Sequence, residues 1–328
     1  MTTSTSSYEC DTYITDAHNL REFLNEYGVA IIPSLLDEEE CEQLVSGIWD
    51  YFEKITENWE TPIHREHEKS WRGFYNLRPL HSMLFQNWCC GHSQASWNVR
   101  QNPKVVDVFA KLWSVNPEEL LVSFDGFSFN PPPETTHKGW NRDNTWYHSD
   151  QSFCRNDFEC VQSWVTGLDV EEGDATLSFY EGSHLYHRAL AERFSITEKK
   201  DWRKLKREEE NFLLEKNCTP KKIKCPKGSL VLWDSRTIHC GTEAFKGRSN
   251  PKFRAVVYVC YQPRTWATPA NLKKKRKAFE NLRGTSHWPA KPRLFSWKPS
   301  MRYGGELPEI TVIDPPVLTD LGRALAGF

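Results

Sequence analysis

His148 and Asp150 stand two residues apart in "WYHSDQSF", and His239 follows far downstream in "VLWDSRTIHCG". The aromatic neighbours Trp146, Tyr147 and Phe153 favour extended backbone, on which residues two apart share a face. His148 and Asp150 can therefore turn toward one metal ion. His239 is the candidate third ligand, because "GSLVLWD" reads as a second strand that carries the chain back to the same place. Two imidazoles and a carboxylate make a facial triad, which leaves positions on a ferrous ion open for a co-substrate and dioxygen. Arg254 opens the β-branched run "RAVVYV" and offers a fixed cationic fork for the far carboxylate of a dicarboxylic co-substrate. Taken singly, each residue has a plainer reading. A His-x-Asp triplet recurs by chance, a lone histidine is usually a satisfied one, and a strand arginine usually pairs with a nearby acid. Their order and context favour the site.

The elements that must position these residues can be read in outline. "DAHNLREFLNEYG" has helical spacing and stops at Gly28, a C-cap, and "VAIIP" is a short strand. "LDEEECEQLVSGIWDYFEKI" is an amphipathic helix with Asp37 as N-cap and acids in its first turn. Residues 57–100 show no clean period and read as irregular, with Trp71, Arg72, Tyr75 and Trp88 as candidates to face a pocket. "NPKVVDVFAKLW" reads as another helix. From about residue 119 short strands are expected, at 119–129, 144–149, 161–169, 175–179, 229–233 and 253–261. The turn-rich "NPPPETTHKGWNRDN" and a charged helical insert at 187–216 interrupt them. Short strands separated by turns, with helices outside, predict a mainly β chain of α+β class on a double-stranded β-helix, or jelly roll. The whole of 1–328 reads as one domain: a mostly helical part at 1–118, the β core at 119–265 and an extension at 266–328. The aromatic, proline-rich "TSHWPAKPRLFSWKPSMRYGG" in that extension is expected to pack over the core, as a lid at its mouth.

A net charge of −2 and a pI near 6.6 give no overall signal for nucleic acid or a membrane surface. The basic run "LKKKRKAFENLRG" is expected to be a solvated helix face rather than a nucleic-acid site. No apolar run approaches the length of a bilayer span, and the polar start "MTTSTSSYECDTYITD" has neither the basic nor the apolar region of a secretory signal. The ten cysteines include no Cys-x-x-Cys pair, and a chain of this length needs no disulfide staples. A cytoplasmic location is therefore expected. Strand alternation should turn Cys240 away from any metal at His239.

In order, four segments resemble the phytanoyl-CoA dioxygenase family of iron(II)/2-oxoglutarate oxygenases. "FLNEYGVAIIPSLLDEEECEQL" (23–44) resembles its N-terminal helix, strand and second helix, and "WYHSDQSF" its first metal motif. "VQSWVTGLDVEEGDATLSFYEGSH" (161–184) resembles the strand pair ending in a Pro-Gly-Ser-His turn. "KGSLVLWDSRTIHCGTEAFKGRSNPKFRAVVYVCY" (227–261) resembles the segment with the second histidine and the co-substrate arginine. The similarity covers roughly residues 20–265. It implies that His148, Asp150 and His239 bind Fe(II) and that Arg254 grips the distal carboxylate of 2-oxoglutarate, with Thr242 as a second contact. Two departures stand out. Glu181 replaces the turn proline, and the insertion "AFKGRSNPK" places Arg254 fifteen residues after His239, which makes Arg248 a rival.

The resemblance further implies oxidation of a small molecule (an amino acid, an acyl-CoA or another metabolite) by dioxygen, with release of succinate and carbon dioxide and with ascorbate as reductant. Related halogenases carry a small residue in place of the carboxylate, so Asp150 favours hydroxylation. The competing readings are a cupin-type metalloenzyme that does not use 2-oxoglutarate, a zinc hydrolase, and a binding protein without turnover.

Overall fold

Local capping chemistry sets the N-terminal boundaries. The computed structural model describes residues 7–78, 83–139, 145–299 and 309–328. The helix Leu20–Tyr27 stops at Gly28, whose φ of 77° suits a residue without a Cβ, and the Gly28 amide donates to Leu24 O. Asp37 caps the helix Glu38–Ile55. Its carboxylate accepts from the Glu40 amide, and the Glu40 carboxylate accepts from the Asp37 amide. Cys41, Leu44, Ile48, Phe52 and Ile55 form the buried stripe of that helix.

Twelve strands lie among the described residues: β1 (Ser7–Glu9), β2 (Val29–Ile32), β3 (Leu120–Val122), β4 (Phe127–Asn130), β5 (His148–Ser149), β6 (Val161–Thr166), β7 (Thr176–Tyr180), β8 (Arg203–Lys204), β9 (Pro220–Ile223), β10 (Leu230–Asp234), β11 (His239–Thr242) and β12 (Arg254–Pro263). They form two sheets, ordered β1-β9-β7-β11-β5-β8 and β2-β10-β6-β12-β3, with β4 also paired to β12. Neither order closes on itself, so the jelly roll is a two-sheet sandwich rather than a closed barrel. Pairing is antiparallel except between β1 and β9.

Alternation along each strand divides the core into layers. On β6, Val161 and Val165 pack outward with Ile48, Phe52 and Phe109 of the helices. Trp164 turns inward with Val231 and Val256, where they meet Leu177, Phe179 and Ile223 of the opposing sheet. The outer side of that second sheet is covered by the insert, where Tyr147, Tyr180, Leu205, Leu213 and Cys240 cluster. Cys240 is thus a packing residue on the face opposite His239, as its position on the strand predicts.

Several elements differ from expectation. The strand expected at 119–129 splits into β3 and β4 because the Phe85 carbonyl crosses over Gly126, where an added Cβ would lie 1.4 Å from its oxygen. The insert holds two helices, His187–Arg193 and Arg207–Glu215, but also β8, which pairs with β5. β1, β9 and β11, and the helix Asp320–Ala326, were not anticipated. Part of the basic run is structural rather than solvated. Lys275 is fully buried, donates to Val122 O, and lies 3.9 Å above the Phe124 ring. Residue 144 of an expected strand lies outside the described residues, as do 1–6, 79–82, 140–144 of the turn-rich loop and 300–305 of the aromatic C-terminal segment. No helix among the described residues is long and apolar enough to cross a membrane.

Candidate metal centre

His148 and His239 are direct register partners on the antiparallel pair β5 and β11, so their side chains leave one face of the sheet. Their ring centroids are 4.4 Å apart. Asp150 lies just beyond β5, in a bend where its amide donates to Ser235 O at 3.3 Å. Its Oδ2 stands 3.5 Å from His148 Nε2 and 3.4 Å from His239 Nε2. The ligand atoms of all three residues fall within 4.8 Å of one another. Donors bonded at about 2.1 Å around one ion sit roughly 3 Å apart, so a small inward movement would complete the set.

The backbone fixes which ring nitrogens face the centre. His148 Nδ1 lies 3.2 Å from Trp146 O, and His239 Nδ1 lies 2.8 Å from Thr237 O. A carbonyl only accepts, so each Nδ1 carries the proton and each Nε2 presents a lone pair toward Asp150. Burial pushes the His148 pKa down and keeps its ring neutral. Burial also opposes ionisation of Asp150, but the polar surroundings that His148, His287 and His239 give it outweigh that cost. They hold the carboxyl well below its usual range. An anionic carboxylate beside neutral imidazoles is the form that binds a metal. Trp146 stacks on His148 at 4.7 Å with an interplanar angle of 5°, and its Nε1 donates to Gly241 O at 3.0 Å. The His148 ring is thereby fixed in orientation.

Arg254 starts β12 and is buried, on the same inward face as Val256. Its Nη1 donates to Ala175 O at 2.8 Å and its Nε to Ser128 Oγ at 3.1 Å. Nη2 has a long 3.5 Å contact to the Tyr258 hydroxyl. No carboxylate among the described residues pairs with it. The rival Arg248 is fully engaged, bidentate to Glu134 at 3.0 and 2.6 Å and bonded to Asp174 at 2.6 Å. Of the two arginines, only Arg248 is paired with acids among the described residues. Thr242 follows Cys240 onto the outer face of β11, where its hydroxyl donates to Thr176 O at 3.3 Å. That position is turned away from His239.

Arg254 lines a cleft with Asn130, Thr166, Ala175 and Glu243, and the triad lies outside this lining. Gly241 stands between His239 and Glu243 on the chain, and an added Cβ there would come within 3.1 Å of Met83 Cε. Of the four pocket candidates in 57–100, Tyr75 lines the cleft. Trp71 packs on Phe253 at 4.8 Å, Trp88 is buried with Nε1 donating to Leu77 O, and Arg72 is exposed.

Three donors on the inner face of β6 and β10 were not identified from sequence. Gln162 Nε2, Trp164 Nε1 and Trp233 Nε1 are buried without a hydrogen-bond partner among the described residues. Gln162 is the register partner of Trp233, whose ring lies 5.4 Å from His239. Each unmade bond costs about 1–3 kcal/mol, so a polar guest between the sheets would be stabilised by them. A glutamine inside the strand "VQSWVT" was the one available signal. His287, from the C-terminal extension, brings Nε2 to 3.4 Å from Asp150 O. The extension thus reaches the site, in line with its expected packing over the core.

Comparison with known proteins matches the same segments. Residues 24–247 fit the family model described as phytanoyl-CoA dioxygenase (PhyH). Ava biosynthesis cluster protein O of Aspergillus versicolor is 28% identical over 206 residues, which is 60% of this chain and 64% of that protein. The chain thus spans less than two thirds of that relative. Among solved structures, a hypothetical protein from Escherichia coli superposes with a TM-score of 0.57 at 14% identity, covering 96% of this chain and 85% of the other. GlcNAc Inducible Gene 2 from Candida albicans does so with a TM-score of 0.54 at 13% identity, covering 84% and 70%. These two likenesses concern the fold. With the family model matching most of the chain, and with two histidines and an aspartate gathered between its sheets, the protein belongs to the phytanoyl-CoA dioxygenase family of iron- and 2-oxoglutarate-dependent enzymes.

Proposed function

We propose that this protein is a dioxygenase that hydroxylates a small molecule, with His148, Asp150 and His239 holding Fe(II) and Arg254 anchoring 2-oxoglutarate. The observation that carries the reading is the convergence of two imidazole Nε2 atoms on the Asp150 carboxylate, at 3.5 and 3.4 Å. When bound, iron and 2-oxoglutarate supply oxidation of a C–H bond by dioxygen, coupled to formation of succinate and carbon dioxide. The chain's own work is positioning. Trp146 and the backbone carbonyls of Trp146 and Thr237 hold the imidazoles in one tautomer, and the two sheets exclude water. Arg254, without a carboxylate partner of its own, fits the distal carboxylate of the co-substrate, and the orphan donors of Gln162, Trp164 and Trp233 fit its remaining oxygens or those of a substrate. Thr242 has no part in this reading, since its hydroxyl is spent on Thr176 O. The Aspergillus relative is named for a biosynthesis cluster, in keeping with a small-molecule substrate.

The test is succinate release from 2-oxoglutarate by metal-stripped protein, reconstituted with Fe(II) or Zn(II) in air with ascorbate. Turnover with iron alone is expected. Activity restored by zinc, or iron binding without any 2-oxoglutarate consumption across a metabolite pool, would remove the proposal.

A further inference from the structure

β8 is the edge strand of the sheet that carries β5 and β11, and it comes from the insert between the two metal-bearing segments. Lys204 is the register partner of His148, so its side chain leaves the sheet on the same face. The residues on either side alternate away: Leu205 packs with Tyr147 on the outer face, and Arg203 pairs with Glu209 at 2.7 Å. Trp202, two residues before Lys204, brings its ring to 5.8 Å from that of His148. It is nevertheless 53% exposed. A large apolar face thus stands in water beside the buried His148. The segment is firmly held, because Ser152 Oγ donates to Glu198 O at 3.1 Å and Arg155 pairs with Asp201. The loop after Asp150 thus clamps the insert in place.

The charges around Trp202 are unbalanced. Glu198 is spent on Arg203 at 2.7 Å and Asp201 on Arg155, whereas Lys204, whose charge reaches the half-buried Glu210, forms no ion pair among the described residues. A flat apolar ring with one ammonium group two residues along suits a guest that is both planar and anionic, and disfavours a cation.

We propose that Trp202 and Lys204 form the substrate subsite of the iron centre, and that it takes a planar aromatic acid. The ring stacks on Trp202 and the anionic group is drawn to Lys204. This deepens the dioxygenase reading, but the binding step can be tested without iron. The probe is anthracene-2-carboxylate, followed by fluorescence anisotropy with metal-free full-length protein. Trp202→Ala is expected to weaken its binding about tenfold and Trp202→Phe to retain most of it. Lys204→Glu should weaken the acid while leaving the neutral 2-(hydroxymethyl)anthracene unchanged. Wild-type affinity in both Trp202→Ala and Lys204→Glu, failure of the wild type to bind the probe, or equally tight competition by decanoate or coenzyme A would each overturn the proposal. Iron content and the visible absorption of the anaerobic iron–2-oxoglutarate complex, measured in parallel, judge the metal site separately. Variants that keep that absorption but bind the probe as wild type defeat the subsite alone.

Discussion

Asp150→Ala removes the anionic member of the proposed metal site. The variant should lose bound iron on dialysis and release no succinate. Metal analysis and succinate assay check this, and iron retained at wild-type level would show that the carboxylate is not a ligand. The two arginines should separate cleanly. Arg254→Ala leaves the co-substrate carboxylate unpaired in a desolvated site, a loss of about 2–5 kcal/mol, read as a steep rise in the 2-oxoglutarate requirement with iron binding unchanged. Arg248→Ala instead strands Asp174 and Glu134, and should lower stability by about 3 kcal/mol with that requirement unaltered. Denaturant titration and 2-oxoglutarate titration of both variants decide it. The convergence of His148, Asp150 and His239 was legible because side-chain period, chain order and the family resemblance point at the same three residues. Arg254 was preferred from sequence because it opens a β-branched run, and the fold adds that Arg248 is paired with Glu134 and Asp174. Thr242 was misjudged by counting residues from His239 without following the alternation that turns it outward.

Among the elements, β8 was hidden by composition. "DWRKLKREEENFLLE" is a charged, helix-favouring run, and Arg203–Lys204 is a strand only because β5 offers it an open edge. β11 was hidden in a similar way, as "HCGT" has no β-branched alternation and becomes a strand through pairing with β7 and β5. The helices were easier, because caps such as Asp37 and Gly28 act locally and need no partner. The tie between Arg203 and Glu209 yields a test at this scale. The Glu209 side chain is 1% exposed and bidentate to Arg203 at 2.7 and 2.8 Å. Glu209→Ala should cost about 2 kcal/mol locally, speeding exchange of the Leu205 amide, which donates to Tyr147 O, roughly thirtyfold while iron binding persists. Unchanged exchange would mean that β5 alone holds the edge.

For the molecule as a whole, acid sensitivity is built into its buried histidines. Burial lowers the His92 pKa to about 3 and that of His187 to about 4. Both folded values lie below the ordinary 6.5, so the unfolded chain takes up protons first as pH falls. The stability these groups contribute is complete above about pH 6.5 and is lost as pH drops through 4 and 3. Each should remove about 2 kcal/mol between pH 7.5 and 5. Urea unfolding in the presence of chelator at the two pH values measures the loss, and His92→Asn should show a shallower dependence. An identical slope in that variant would assign the sensitivity elsewhere.

The placement of β8 also bears on how such a protein can diversify. The two histidines sit on strands held by their own pairing, while Trp202 and Lys204 arrive beside them on a separate stretch that docks from outside. Lengthening, shortening or exchanging residues 196–206 would re-aim Trp202 and Lys204 without disturbing the register of His148 against His239. On the proposed subsite, a graft of that stretch from another member of the family should transfer substrate preference while leaving the metal-binding residues in place.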